Sequence, residues 1–140
     1  MHRVVSTVED TFGAVQFFSS IISECGALKM GLRILIVDDH EPTRRAITSI
    51  LAKRADWHVC GEASDGMDAI TQAEKLRPDA VLMDVSMPRM DGLQATREVR
   101  QHPPTTKIII VSQNDPSVVR QQAEQVRADA FCSVDFFQPN

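Results

Sequence analysis

Residues 33–54 read RILIVDDHEPTRRAITSILAKR, and this stretch decides the fold. Its first part is a continuous run of Ile, Leu and Val, which is typical of a strand buried on both faces of a sheet. Pro42 follows the run, and proline suits the first turn of a helix. Beyond it, apolar residues recur at the spacing of one helix face: Ala46, Ile47, Ile50 and Leu51. The stretch therefore predicts a buried strand that leads directly into an amphipathic helix.

The same alternation of strand and helix patterns continues along the chain. Short apolar runs predict four more strands, which read HVCGEA, AVLMDV, KIIIVS and AFCSV. Helical patterns separate them, and in the last one Asp115 is a candidate N-cap with Pro116 at the first helical position. Regular alternation indicates a parallel sheet with helices on both faces, and right-handed crossovers favour a doubly wound α/β fold.

Residues 1–29 differ from the rest because they show no clean strand alternation. The segment VEDTFGAVQFFSSII predicts a short amphipathic helix, with Val15, Phe18 and Ile22 at helical spacing. Met30 then opens the regular part of the chain. We therefore expect an N-terminal extension over 1–29, either disordered or a short helix, and a single α/β domain over 30–140.

Composition limits the class of protein. The chain has 140 residues and a net charge of −4, which argues against a nucleic-acid-binding surface. Its longest uncharged stretch near the start is too short to span a bilayer. Three widely spaced cysteines fit neither a disulfide framework nor a zinc site: Cys25, Cys60 and Cys132. We expect Cys60 and Cys132 to be small buried residues in a reducing cytoplasm. We expect a cytoplasmic protein that binds neither nucleic acid nor membranes.

Polar side chains end three of the predicted strands. Asp38 and Asp39 end the first strand, Asp84 ends the third and Ser112 ends the fourth. In parallel sheets these carboxyl ends share one edge, where ligands bind. Helix capping or loop solvation explains any one of these residues alone. Three carboxylates at one edge instead predict a site for a hard cation, and Mg²⁺ is the one that keeps room for water and phosphate oxygens.

These carboxylates also predict chemistry on a phosphoryl group. The chain contains neither G-x-x-x-x-G-K-[ST] nor G-x-G-x-x-G, so it should not bind a nucleotide in those ways. A carboxylate can itself attack a phosphoryl group, with Mg²⁺ neutralising the charge. Asp84 is the candidate nucleophile because it stands alone on its strand, whereas Asp38 and Asp39 are paired as metal ligands would be. His40 is expected to be an exposed loop residue.

At this point the sequence resembles the receiver domain of two-component response regulators, from about Arg33 to Val134. The segment ILIVDDHEPTRRAI is similar to the family's first strand, acidic pair and first helix. The segment DAVLMDVSMPRMDGL is the most specific, because it carries D-x-x-M-P-x-M-D-G around the phosphoacceptor position. The segment KIIIVSQND is similar to the fourth strand with its switch hydroxyl.

The resemblance implies a flavodoxin-like fold, with five parallel strands in the order 2-1-3-4-5. It implies that Asp84 accepts a phosphoryl group from a partner histidine kinase or phosphotransfer protein. The chain would then be a signalling module and not a turnover enzyme. The resemblance also implies bound Mg²⁺, held by Asp38, Asp39, Asp84 and the backbone carbonyl of Ser86.

Two more residues receive switching roles from the resemblance. Ser112 would hydrogen-bond a phosphoryl oxygen and move toward it, and Phe131 would turn inward when Ser112 moves. In the loop after the phosphoacceptor, Asp91 and Gly92 should form the turn that starts the third helix. Gly92 would there tolerate unusual backbone dihedrals.

The chain departs from the family pattern at two positions near the fifth strand. The family has a lysine three residues after the aromatic switch residue, where this chain has Val134, so we expect weakened switching more than lost metal binding. The family usually has Gly-Ala before this strand, where this chain has Arg127 and Ala128. Arg127 would be strained by about 1–2 kcal/mol in the left-handed conformation that glycine adopts.

A third departure lies at the end of the chain. After Val134 only DFFQPN remains, so the family's fifth helix is expected to be missing. One face of the sheet would then expose an apolar patch, which Phe136 and Phe137 or a second copy of the chain would cover. Self-association would use this C-terminal face and the fourth helix.

Two alternatives remain open. A degenerate or truncated receiver would act as a protein-interaction module without regulated phosphorylation, as Val134 suggests. A Mg²⁺-dependent phosphohydrolase would also form an aspartyl-phosphate. Such enzymes typically carry D-x-D on the first strand, whereas Asp38 and Asp39 are adjacent here.

Overall fold

The computed structural model describes residues 3–8, 31–101 and 106–134, and for 3–8, 133 and 134 it describes the backbone alone. These residues form six strands: β1 (Arg3–Val8), β2 (Leu32–Val37), β3 (Trp57–Ala63), β4 (Ala80–Asp84), β5 (Lys107–Ser112) and β6 (Ala130–Val134). They also form four helices: α1 (Glu41–Leu51), α2 (Gly66–Leu76), α3 (Gly92–Arg100) and α4 (Pro116–Gln125). None of the described helices is long and apolar enough to cross a membrane.

The strands form one parallel sheet in the order β1-β6-β5-β4-β2-β3. Strands β2 to β6 are the five predicted ones, and their order confirms the predicted 2-1-3-4-5 arrangement of a flavodoxin-like fold. The helices α1 to α4 follow β2 to β5 in turn, as the alternating patterns predicted.

Strand β1 was not predicted. It pairs in parallel with β6, with Arg3 opposite Ala130 and Val8 opposite Val134. Its sequence RVVSTV is rich in β-branched residues, which favour strands, but it lacks an alternating apolar pattern. The helix predicted around Val15, Phe18 and Ile22 falls outside the described residues.

The sheet carries a core layer on each face. On one face α1 packs against β2 and β3. On the other face the buried side chains of α2, α3 and α4 meet those of the central strands, among them Ala69, Ala95, Val99, Val119 and Ala123. Strands covered on both faces read as continuous apolar runs, which explains the sequences of β2, β4 and β5.

Three helices begin at aspartate N-caps. The Asp65 carboxylate accepts a hydrogen bond from the Asp68 N–H, and Asp91 accepts one from the Gln94 N–H. Asp115 accepts from the Ser117 N–H, and Pro116 opens α4, as predicted. Each cap satisfies a helix N–H that would otherwise lack a partner.

The expected exposed patch beside β6 is not observed. On the face that carries α1, the β5 and β6 side chains are at most 6% exposed: Ile109, Val111, Ala130 and Cys132. They are buried within one copy of the chain, so they offer no open surface to a second copy. Phe136 and Phe137 lie outside the described residues. Burial also raises the pKa of the Cys132 thiol to about 12, as expected for a core cysteine.

Arg127 adopts the left-handed conformation anticipated for it, with φ at +56°. It follows α4, and the next residue, Ala128, donates its N–H to the Ala123 carbonyl 2.9 Å away. This helix end favours glycine at the left-handed position.

We expect Arg127→Gly to raise the free energy of unfolding by about 0.5–1 kcal/mol, because it relieves the strain at a left-handed residue. Urea denaturation measures the change. Arg97→Gly, at an exposed position inside α3, is the matched control and should lower the same free energy by about 1 kcal/mol. A loss of stability in both variants would contradict the strain argument.

Candidate functional site

Three carboxylates meet at the carboxyl edge of the sheet. One oxygen from each of Asp38, Asp39 and Asp84 lies within 4.8 Å of the others. Strands β2 and β4 are neighbours with Val37 opposite Met83, so the next residues of the two chain segments, Asp38 and Asp84, lie side by side at the end of the sheet. Asp38 is only 9% exposed, Asp84 is half-buried and Asp39 is exposed. The structure thus brings together the three carboxylates that the sequence singled out.

Two predicted serines line the same cleft. Ser86 lies two residues after Asp84, and Ser112 ends β5 on the adjacent strand. Ser112 is 6% exposed, and its Oγ accepts a hydrogen bond from the Asn114 N–H at 3.1 Å. The other lining residues are His40, Thr43, Val111, Gln113 and Asn114.

Phe131 does not line this cleft. It lies in β6, is 1% exposed and belongs to the core layer beneath α2, α3 and α4. Its ring is therefore already buried in this structure. The switching role implied for Phe131 stays a prediction.

The cleft concentrates negative charge. Burial, and then the charges of Asp38 and Asp39, raise the pKa of Asp84 to about 7, although the Val85 and Ser86 N–H groups hydrogen-bond the carboxylate and oppose the rise. Burial also raises the pKa of Asp38, against a hydrogen bond of 2.8 Å from the His40 N–H. Among the described residues that line the cleft there is no lysine or arginine. Clustered oxygen ligands of this kind suit Mg²⁺.

Gly92 holds the loop after Asp84 close to the sheet. A Cβ at position 92 would lie 1.8 Å from the Asp84 carbonyl oxygen, and the Gly92 N–H donates to the Val85 carbonyl at 2.9 Å. The predicted turn at Asp91 and Gly92 is confirmed, since Asp91 caps α3. The predicted reason for the glycine was wrong, because its φ is not positive. The glycine is required by the close approach of helix and strand.

We expect Gly92→Ala to displace the Asp84 carbonyl and to cost about 3 kcal/mol or more of unfolding free energy, since the new methyl group fits only if backbone atoms shift. Calorimetry should also show that Mg²⁺ binds at least about tenfold more weakly. Gln94→Ala, an exposed position in the same helical turn, should leave both quantities unchanged. Equal Mg²⁺ affinity in the two variants would exclude a role of Gly92 in placing the site.

A contact between two loops was missed by sequence reasoning. The Arg89 guanidinium pairs with the Asp65 carboxylate, which is 5% exposed at the start of α2. Beside it the Gly66 N–H donates to the Met90 carbonyl at 3.0 Å. These contacts join the loop after β3 to the loop that carries Ser86. No local pattern could reveal them, because residues 24 positions apart make the ion pair.

Known proteins agree with this architecture. Residues 34–137 match the sequence family described as response regulator receiver domain. The response regulator protein VraR of Staphylococcus epidermidis is 43% identical over 83 residues, which are 59% of this chain and 40% of the relative. VraR of Staphylococcus aureus is 40% identical over the same length. The chain therefore matches less than half the length of these curated relatives.

Solved structures give the same result. The response regulator domain of Thermotoga maritima CheB superposes with a TM-score of 0.68 at 31% identity, covering 73% of this chain and 77% of that one. The receiver domain of the putative response regulator NarL from Mycobacterium tuberculosis gives a TM-score of 0.69 at 31% identity, covering 79% and 88%. With the family match over most of its length, the chain belongs to the response regulator receiver domains of two-component systems.

Proposed function

We propose that this receiver domain accepts a phosphoryl group on Asp84, in a Mg²⁺-dependent reaction, from a partner histidine kinase or phosphotransfer protein. The observation that carries the proposal is the cluster of Asp38, Asp39 and Asp84 in one cleft with Ser112. The finding that the chain is a receiver domain supports the donor class.

In this reaction an Asp84 carboxylate oxygen attacks phosphorus, the phosphorus–nitrogen bond of the donor phosphohistidine breaks, and the imidazole leaves with the bond electrons and takes up a proton. Ionised Asp84 is required, and the Val85 and Ser86 N–H groups favour that form. The Ser112 hydroxyl would donate to a phosphoryl oxygen. Bound Mg²⁺ would neutralise phosphoryl charge, held by Asp38, Asp39, Asp84 and the Ser86 carbonyl.

We also propose that phosphorylation triggers a switching step, and that the structural response to it is weak. Ser112 would move toward the phosphoryl group and Phe131 would follow, in two discrete arrangements of β5, α4 and β6. Val134 ends β6, where the family places a lysine. Without that cation, the aspartyl-phosphate has one protein contact fewer with which to favour the active arrangement.

We propose that the chain binds proteins and not nucleic acid, because its net charge of −4 would repel a nucleic-acid backbone. Self-association through α4 belongs to the proposal, with Val118 exposed by 42% on that helix. A cytoplasmic location is also proposed, in line with the buried Cys132 thiol.

Intact-mass measurement after incubation with Mg²⁺ and a small phosphodonor tests the proposal. We expect the mass of one phosphoryl group to be added to the parent and not to Asp84→Asn. Asp56→Asn controls for the change of charge, because Asp56 directly precedes β3 and so lies at the amino ends of the strands, away from the cleft. No gain in the parent would favour the degenerate receiver, and release of phosphate over many turnovers would favour the phosphohydrolase.

A further inference from the structure

Arg44 bridges the ends of two strands beside the acidic pair. It lies near the start of α1, and its Nη1 donates to the Asp38 backbone carbonyl at 2.6 Å. Its Nε donates at 2.9 Å to a carboxylate oxygen of Glu62 on β3. The Arg44 side chain is only 16% exposed, although the Glu62 side chain is 48% exposed. Two partners and partial burial fix the guanidinium in one place.

With the Arg44 contact, both polar backbone groups of Asp38 are hydrogen-bonded. On the other side of that residue, the Asp38 N–H donates to the Ala63 carbonyl of β3 at 3.0 Å. The Asp38 carboxylate in turn accepts the His40 N–H at 2.8 Å. The N–H and the carbonyl of Asp38 are therefore both tied to fixed groups, at the point where the chain leaves the sheet. The directions in which the side chains of Asp38 and Asp39 point depend on the backbone at this position.

We propose that Arg44 is a positioning residue for the metal site: through the Asp38 carbonyl and Glu62, it holds Asp38 and Asp39 where both can bind Mg²⁺. The inference rests on the proposed function, because it assumes that the acidic pair holds this ion. It assigns Arg44 no contact with the phosphoryl group.

The charge of Arg44 and its contact with Asp38 predict opposite changes in Mg²⁺ affinity when Arg44 is replaced. Arg44 is a cation near the site, so its removal alone should tighten Mg²⁺ binding by reducing repulsion. If Arg44 positions the acidic pair, its removal should weaken binding, as the loss of groups that orient metal ligands usually does. The sign of the change therefore separates the two roles.

Titration calorimetry with MgCl₂ on the full chain at pH 8 measures this sign. We expect Arg44→Gln to bind Mg²⁺ about tenfold more weakly than the parent. Arg44→Lys keeps the charge, but its single ammonium group cannot bind both partners as the planar guanidinium does. We therefore expect this variant also to bind Mg²⁺ more weakly than the parent. Arg45→Gln is the matched control, since the Arg45 side chain is 77% exposed and its guanidinium pairs with Glu41 one turn earlier in α1. Its affinity should equal that of the parent or slightly exceed it.

Hydrogen exchange in metal-free buffer provides a second measurement. We expect the amide of His40 to exchange faster in Arg44→Gln than in Arg45→Gln, while the urea midpoints of the two variants remain similar. Unchanged or tighter Mg²⁺ binding in Arg44→Gln would overturn the inference and leave the proposed function intact. A parent chain that binds no Mg²⁺ would overturn both.

Discussion

In Mg²⁺-free buffer at pH 8, Asp84→Asn should be more stable than the parent chain. Burial and the neighbouring aspartates raise the pKa of Asp84 from 3.8 to about 7, so the ionised carboxylate destabilises the fold. One pKa unit is worth about 1.4 kcal/mol, which gives roughly 4 kcal/mol for the full change. Solvent screening of a half-exposed group reduces this, and we expect a gain of about 2 kcal/mol.

The effect should depend on pH in one direction. Between pH 3.8 and about 7 the folded state binds more protons than the unfolded state at Asp84, so the free energy of unfolding falls as the pH rises. Above about pH 7 the ionised Asp84 lowers the free energy of unfolding by its full amount. Near pH 4 the carboxyl is neutral in the folded chain and causes almost no such loss. Asp84→Asn should therefore gain stability over the parent at pH 8 and match it near pH 4. Urea denaturation in a chelator at the two pH values measures the difference, and an equal difference at both would contradict the assigned cause.

Mg²⁺ should reverse this destabilisation in the parent. A ligand that binds only the folded state stabilises it by about 2.7 kcal/mol at one hundred times its dissociation constant. Protons and Mg²⁺ compete for the same carboxylates, so Mg²⁺ affinity should fall by about tenfold per pH unit as the pH drops well below the Asp84 pKa of about 7.

Thermal unfolding with and without Mg²⁺ measures this effect. The midpoint should rise with MgCl₂ in the parent at pH 8, rise less at pH 6, and stay almost constant in Asp84→Asn. Asp56→Asn should respond like the parent, because Asp56 lies at the far edge of the sheet. An equal rise in every variant would show that the salt acts elsewhere.

The sequence was sufficient for the central part of the fold because the deciding signals are local. The apolar run of β2 and the helical stripe of α1 each follow from neighbouring residues, and parallel topology then places Asp38 and Asp84 at one edge. Strand β1 lacked such a signal, since RVVSTV shows no alternating apolar pattern and only its pairing with β6, more than a hundred positions away, places it in the sheet. An apolar pattern near residue 15 indicated a helix in the same region and gave no hint of the strand.

The finer parts of the site depend on tertiary contacts. The bridge from Arg44 to Asp38 and Glu62, and the ion pair of Asp65 with Arg89, exist only once the strand ends are side by side. The role of Gly92 shows the same limit. Its place at the start of α3 was readable from the motif, but its approach to the Asp84 carbonyl was not.

The central claim is that Asp84 is the phosphoacceptor of this receiver domain, and locating the phosphoryl group tests it most directly. Borohydride reduces an aspartyl-phosphate to homoserine, which tryptic mass spectrometry can place in the peptide LRPDAVLMDVSMPR, residues 76–89. Asp79 in the same peptide serves as an internal control. We expect homoserine at position 84 and aspartate at position 79 after treatment with phosphodonor and Mg²⁺. Homoserine at another aspartate, with position 84 unchanged, would contradict the account.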